Sequence, residues 1–257
     1  MKIKFHALLK FIFIFSLIWT SCSKPPSFEE LPPEAMYLNL RGLYEKEKYL
    51  AASDGFNYFT LNYSGHALVD SAQSFIGYSH YYMKEYLIAV DAFEGLFKRF
   101  PNSPLVPESM YMVGKCYWEL SPKYSLDQEF THSAVDALQS FIDYFPDHRD
   151  MTLEAQDLIG KCREKLAHKH YANGLIYLKM KHYRSASIYF QGVLDQYYDT
   201  RWAADATYQL AMSLSGEDKT SESREVLSGF IQKYSDHHWI EKAKSELANS
   251  KDGENQK

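Results

Sequence analysis

Three cysteines, ten histidines and thirty-three carboxylates are the side chains of this 257-residue chain suited to metal binding or covalent chemistry. Their spacing supports little of either. There is no CxxC pair, no HExxH and no Gly-rich phosphate loop. His168 and His170 stand two apart, so a helix turns them to different sides. His237 and His238 fall in a loop. Asp, His and Ser are plentiful, but no local arrangement joins a nucleophile to a base. No catalytic residue, metal or cofactor is therefore expected, and the chain does not read as an enzyme. Cys116 and Cys162 lie inside helical patterns. They fit small buried residues, with a disulfide in an oxidising compartment as the other reading.

The third cysteine sits in a different setting. MKIKFHALLK is basic, an apolar run from Leu8 to Trp19 follows, and small Thr20 and Ser21 directly precede Cys22. A charged start, a short apolar stretch and small residues before a cut make a signal peptide over 1–21. The run is too short to cross a bilayer. The TSC stretch resembles the lipobox of bacterial lipoproteins, with Trp19 in place of the usual Leu. That resemblance implies that Cys22 becomes the first mature residue and carries acyl chains such as palmitate. Ordinary secretory cleavage, with Cys22 incidental, is the alternative. Residues 22–33, polar and Pro-rich, read as a tether. The net charge of −5 becomes −8 once Lys2, Lys4 and Lys10 are removed, which argues against nucleic acid as a partner.

The elements that carry these residues are helices in a repeating pattern. AVDAFEGLFKRFPNS at 89–103 is nearly restated as AVDALQSFIDYFPDH at 134–148. Taking the small residue as anchor, the pattern recurs at Ala52, Ala89, Ala134, Ala186 and Ser223. Phe56, Phe93, Leu138, Phe190 and Leu227 stand four places on, and Phe59, Leu96, Phe141, Val193 and Phe230 three further. Spacings of three and four share one helix face. Twelve places before four of the anchors stand Leu40, Gly77, Gly174 and Ala211, and in the third unit Gly114 stands twenty places before Ala134, ahead of the enlarged turn. Four of these five are small, which lets a second helix cross closely. Pro101 and Pro146 stop the second helices of their units.

Each unit is thus two antiparallel helices and a turn, and the pattern resembles the tetratricopeptide repeat. The fold class is all-α: a superhelix of five such units over 34–248, followed by a disordered tail at 249–257. Anchor spacings of 37, 45, 52 and 37 mark two irregularities. SPKYSLDQEFTHS enlarges the turn of the third unit, and one long helix from about Thr152 through Lys179 joins the third unit to the fourth.

In tetratricopeptide proteins the first helix of each unit lines the groove, at its second, fifth, ninth and twelfth positions. Here the fifth gives Tyr37, Ser74, Tyr111, Tyr171 and Tyr208. The ninth gives Arg41, Tyr78 and Lys115, and the twelfth Tyr44, Tyr81 and Trp118. Twenty-one tyrosines are many for a chain of this length. They offer flat area with a hydroxyl that tolerates water. A groove of Tyr37, Arg41, Tyr44, Tyr78, Tyr81, Tyr111, Lys115 and Trp118 suits an extended peptide with aromatics and a free carboxylate. The competing reading packs these tyrosines between adjacent repeats.

The irregularities carry a closer resemblance. The insertion reads Asp127-Gln128, Thr131, Ala134 and then runs into YFPDH. KLAHKHYANGLIYLKMKHYRSASIYFQGVLDQYYDT forms the fourth unit. Both are similar to the BamD family, outer-membrane lipoproteins of the β-barrel assembly machinery. The likeness covers residues 34 to 237 and is strongest from 126 to 200. LNYSGH in the first unit departs from the family's Tyr-Pro ending, and the fifth unit has drifted. The resemblance implies a non-enzymatic protein on the periplasmic face of the outer membrane, held there by its lipid anchor. It implies as partners the barrel protein BamA, other subunits of the machine and unfolded outer-membrane β-barrel proteins. It favours Tyr177, Lys181, Tyr183 and Arg184, at the turn of the fourth unit, as the BamA contact, with a solvated turn as the alternative. A periplasmic tetratricopeptide lipoprotein that regulates cell-wall enzymes would share the architecture.

Overall fold

The computed structural model describes residues 30–252, with side chains to 249. The signal peptide, Cys22 and most of the tether lie outside the described residues. Helix α1 (Pro33–Glu45) pairs with α2 (Tyr49–Asn62), α3 (Val69–Tyr82) with α4 (Tyr86–Arg99), and α5 (Val106–Leu120) with α6 (Glu129–Tyr144). The 31-residue α7 (Arg149–Lys179) pairs with α8 (Tyr183–Gln196), α9 (Trp202–Gly216) with α10 (Thr220–Lys233), and α11 (Ile240–Asp252) closes the stack. No strand occurs among the described residues, and no helix of the described chain is long and apolar enough to cross a membrane. Residues 249–252, expected in the disordered tail, belong to α11, which continues to Asp252, and the rest of that segment lies outside the described residues. The Glu, Lys and Ala content of α11 favours helix, and Lys244 bonds Glu241 one turn back.

Packing follows the anchor pattern. Ala52, Ala89, Ala134 and Ala186 are fully buried, as are the apolar residues four and seven places on in those units. A Cβ on Gly77 would stand 2.6 Å from Phe93, and one on Gly174 2.6 Å from Phe190, so the helices cross where no side chain intervenes. The first unit reverses the arrangement. Leu40 occupies the small position of α1, and Gly55 on α2 makes room for it, with a hypothetical Cβ only 2.0 Å from the leucine. In the fifth unit the Ser223 hydroxyl donates to the Ala211 carbonyl at 2.8 Å.

Four of the five turns within units are built alike. Glu47, Lys84, Lys181 and Asp218 adopt left-handed φ of 59–63°. The amide of the following residue reaches back a full turn, as from Lys48 to Leu43 O at 3.0 Å and from His182 to Tyr177 O at 2.9 Å. This is the Schellman termination, made here without glycine. The third unit departs, as its enlarged turn predicts. Its buried Gln128 carboxamide donates to the carbonyls of Lys123, Leu126 and Asp127 and accepts from Thr131 Oγ1.

First helices of successive units touch one another: α1 with α3, α5 with α7, and α7 with α9. No pair of second helices packs comparably among the described residues. An array in close contact along one side and splayed along the other bends toward the first, so the first helices form the inner face. Open clefts of about 420 Å³ and 600 Å³ lie between the splayed α4 and α6, and between α8 and α10.

Candidate peptide groove and partner surface

The fifth-position tyrosines do not line a groove. Tyr37 is 7% exposed and Tyr111 5%. Tyr37 packs edge-on against Phe56, Phe59 and Phe75, and its hydroxyl is bonded to Ser71 on the next first helix at 2.6 Å. Tyr111 donates to Glu154 on α7 at 2.5 Å. Tyr171 lies 5.2 Å from Trp202, and Tyr208 stacks on Trp239 at 4.8 Å. Each ring reaches the head of the following unit. The spacing that marks a groove position in a regular array is here a joint between units, because a flat ring fills the gap, and the hydroxyls of Tyr37 and Tyr111 find polar atoms across it. Tyr37 and Tyr111 are therefore withdrawn from the groove.

The remaining predicted residues stay on the inner face. Arg41 is exposed and paired with Glu45 at 3.0 Å. Tyr44 is half-buried, 4.9 Å from Phe75 and 6.1 Å from Tyr82. Tyr78 donates its hydroxyl to Glu108, and Tyr81 meets Tyr86 edge-on. Burial, with carboxylates close by, raises the phenols of Tyr44, Tyr78 and Tyr81, the last to about 12, so all remain neutral donors. Lys115 sits over the Tyr111 ring, and Trp118 is covered by Lys165 of α7 at 4.4 Å. Burial lowers the Lys165 pKa.

The sequence reading missed Tyr49, Tyr82 and Tyr86. Tyr49 and Tyr82 stack at 5.2 Å, and Tyr82 is 52% exposed. Tyr82 is the last residue of α3, and Tyr49 and Tyr86 begin second helices, so all three fall outside the second, fifth, ninth and twelfth positions of the first helices. A search of the heads of second helices for aromatics would have found Tyr49 and Tyr86.

On the fourth unit the predicted partner residues divide. Tyr177 stacks on Tyr189 at 5.3 Å, holding α7 to α8, and Tyr183 covers Gly216 of the next unit. Both rings serve packing. Lys181 and Arg184 are exposed. Beside them the structure exposes Ile176 and Met180, each 57%, on one face of α7. The places equivalent to Ile176 in the second, third and fifth units, Ser79, Cys116 and Ser213, are fully buried. The length of α7 explains the difference. Its first half, with Met151, Ala155, Leu158 and Ile159, packs against the third unit, and its second half, from Leu166, packs with α8 and α9. The preceding unit is held away, and Ile176 is left uncovered.

Cys116 and Cys162 are free and buried, and burial pushes their thiols up to about 12 and about 11. They are small core residues, not a disulfide.

The family described as YfiO, outer membrane lipoprotein, matches residues 29–227. The chain belongs to this family. Among relatives of this YfiO chain is the outer membrane protein assembly factor BamD of Rickettsia prowazekii (strain Madrid E). It is 26% identical over 230 residues, spanning 87% of this chain and 91% of the relative. The factor of the same name from Caulobacter vibrioides is 24% identical over 183 residues, 71% of this chain and 60% of its own length. Similar solved structures include the TPR2AB-domain:pHSP90 complex of yeast Sti1, with 12% identity, a TM-score of 0.39 and coverage of 87% and 84%. Another is the TPR protein YrrB, with 19% identity, a TM-score of 0.37 and coverage of 82% and 91%.

Proposed function

We propose that this YfiO-family lipoprotein is a non-enzymatic assembly factor for outer-membrane β-barrel proteins. In this reading it holds a BamA-like barrel protein and the other subunits of an assembly machine, and it receives unfolded barrel chains. The observation that carries the reading is the family match over residues 29–227, together with a relative named as an assembly factor that aligns over 91% of its length. Cys22 carries the lipid that keeps it at the periplasmic face of the membrane.

Two surfaces divide the work. The inner face of the first three units, with Arg41, Tyr44, Tyr78, Tyr81, Lys115 and the exposed Tyr82, takes an extended segment rich in aromatics. The uncovered face of α7, with Ile176 and Met180 beside Lys181 and Arg184, takes the barrel protein. An apolar centre with a basic rim is the composition of an interface anchor.

The test is affinity purification from outer membranes in mild detergent. Co-recovery of a BamA-like barrel protein is the expected result. Cell-wall synthases without any barrel protein would overturn the reading and favour a cell-wall adaptor. For the inner face, a photoreactive group at position 82 should cross-link to the C-terminal segment of an unfolded barrel protein. Cross-linking only to the protein's own neighbours would remove that surface from the proposal.

A further inference from the structure

We propose that Asp205, His237 and His238 form a site for one borderline divalent cation, of the zinc or nickel kind, at the C-terminal end of the repeat array. Asp205 lies in the first turn of α9, and the two histidines lie in the turn between α10 and α11. One ligand atom from each falls within 4.8 Å of the other two. Two imidazoles and a carboxylate are donors that suit zinc, copper and nickel.

Comparison with the other units separates this cluster from ordinary architecture. In the first and second units the residue fourteen places after the anchor ties the end of the unit to the start of its own first helix. In the first unit His66 Nε2 lies 3.1 Å from Glu34, and in the second Ser103 donates to Asp70 at 2.7 Å. Both are closed hydrogen bonds. In the fifth unit the same place is His237, yet its Nε2 is 3.8 Å from Asp205 Oδ1. The next residue, Ala67 or Pro104 in the earlier units, is His238, whose Nε2 is 3.6 Å from the same oxygen. Both distances exceed a hydrogen bond. They approach the separation of roughly 3.4 Å that tetrahedral ligands adopt with metal bonds of about 2.1 Å.

The surroundings hold the donors in place. Asp205 Oδ1 accepts the Trp239 indole N–H at 2.8 Å, an outer contact of the kind that orients a ligating carboxylate. Phe230 meets the His237 ring edge-on at 5.5 Å. The His238 side chain is 63% exposed and leaves the site open to solvent. Ligation through Nε2 places the proton of His237 on Nδ1. The long 3.4 Å contact from the Trp239 amide to Nδ1 must then loosen.

The experiment is calorimetric titration of the tag-free full-length protein in detergent with zinc chloride, alongside thermal unfolding. The parent should bind one equivalent and melt at a higher temperature when loaded. His238→Ala changes an exposed residue and should keep the fold, yet it should weaken binding by about tenfold or more. His66→Ala, at the closed clamp of the first unit, should bind as the parent does. No saturable binding by the parent below about 1 mM, or parent-like affinity in His238→Ala, overturns the proposal.

Discussion

At Gln128 a single carboxamide organises the insertion of the third unit. Its nitrogen serves three backbone carbonyls, its oxygen accepts from Thr131, and the side chain is buried. Gln128→Glu keeps the shape but turns a charged oxygen toward those carbonyls. It should cost about 2–3 kcal/mol, measured as the shift in urea unfolding free energy. His168 raises a different matter. It lies flat between Tyr124 at 3.5 Å and Trp202 at 4.0 Å, and burial lowers its pKa below 6.5. Burial also lowers His170 and His237. The unfolded chain takes up these protons near pH 6.5, whereas the folded rings resist. The stability from keeping them neutral is present above pH 6.5 and is lost as pH falls below that value toward their folded pKa values. Urea unfolding at pH 7 and pH 5.5 should show the loss. His168→Phe, which keeps the stack, should make it smaller.

Helices and turns show how the array tolerates irregular spacing. The left-handed residues Glu47, Lys84, Lys181 and Asp218 carry side chains in a conformation that costs about 1–2 kcal/mol for an L-residue. Glycine removes that strain but loosens the unfolded chain by about 0.4–1 kcal/mol. Lys84→Gly should therefore stabilise the protein by about 0.5 kcal/mol in chemical unfolding. A loss of stability would show that the Lys84 side chain makes a contact worth more than the strain. The insertion is held to α7 by Lys165, which donates to Ser121 Oγ at 2.7 Å, and by Lys169, which donates to Leu126 O at 2.5 Å. Those two bonds and the Tyr124–His168–Trp202 stack link the third unit to the fifth across the long helix. The extra residues of the turn therefore brace the place where the repeat spacing breaks.

For the molecule as a whole, curvature and the break at α7 decide which surfaces are free. Contact between first helices bends the array toward them, placing Arg41, Tyr78 and Tyr82 on the inner side. The span of α7 uncovers Ile176 and Met180. Replacing both with Ser should leave the melting temperature within a degree or two, since surface changes usually alter stability by less than about 0.5 kcal/mol. The same pair should reduce recovery of the BamA-like protein at least about tenfold, if these residues anchor the interface. Unchanged recovery with the fold intact would move the contact elsewhere.

The sequence alone determined the helical units, their order and their two irregularities. Anchor residues at spacings of three, four and seven follow from the helix period, and that period is local. The long helix needed only the absence of Pro, and the close crossings only small residues at one offset. What the tyrosines do was decided by tertiary structure. Tyr37 and Tyr82 are the same residue type on first helices, yet one is buried as a joint between units and the other is half exposed. Which of these holds depends on how far the next unit rotates and shifts, a distance set by packing across units. The exposure of Ile176 and the meeting of Asp205 with His237 and His238 depend on the same shifts. Residues 32 and 33 apart in sequence, or faces stripped of their usual neighbour, leave no mark in a local pattern.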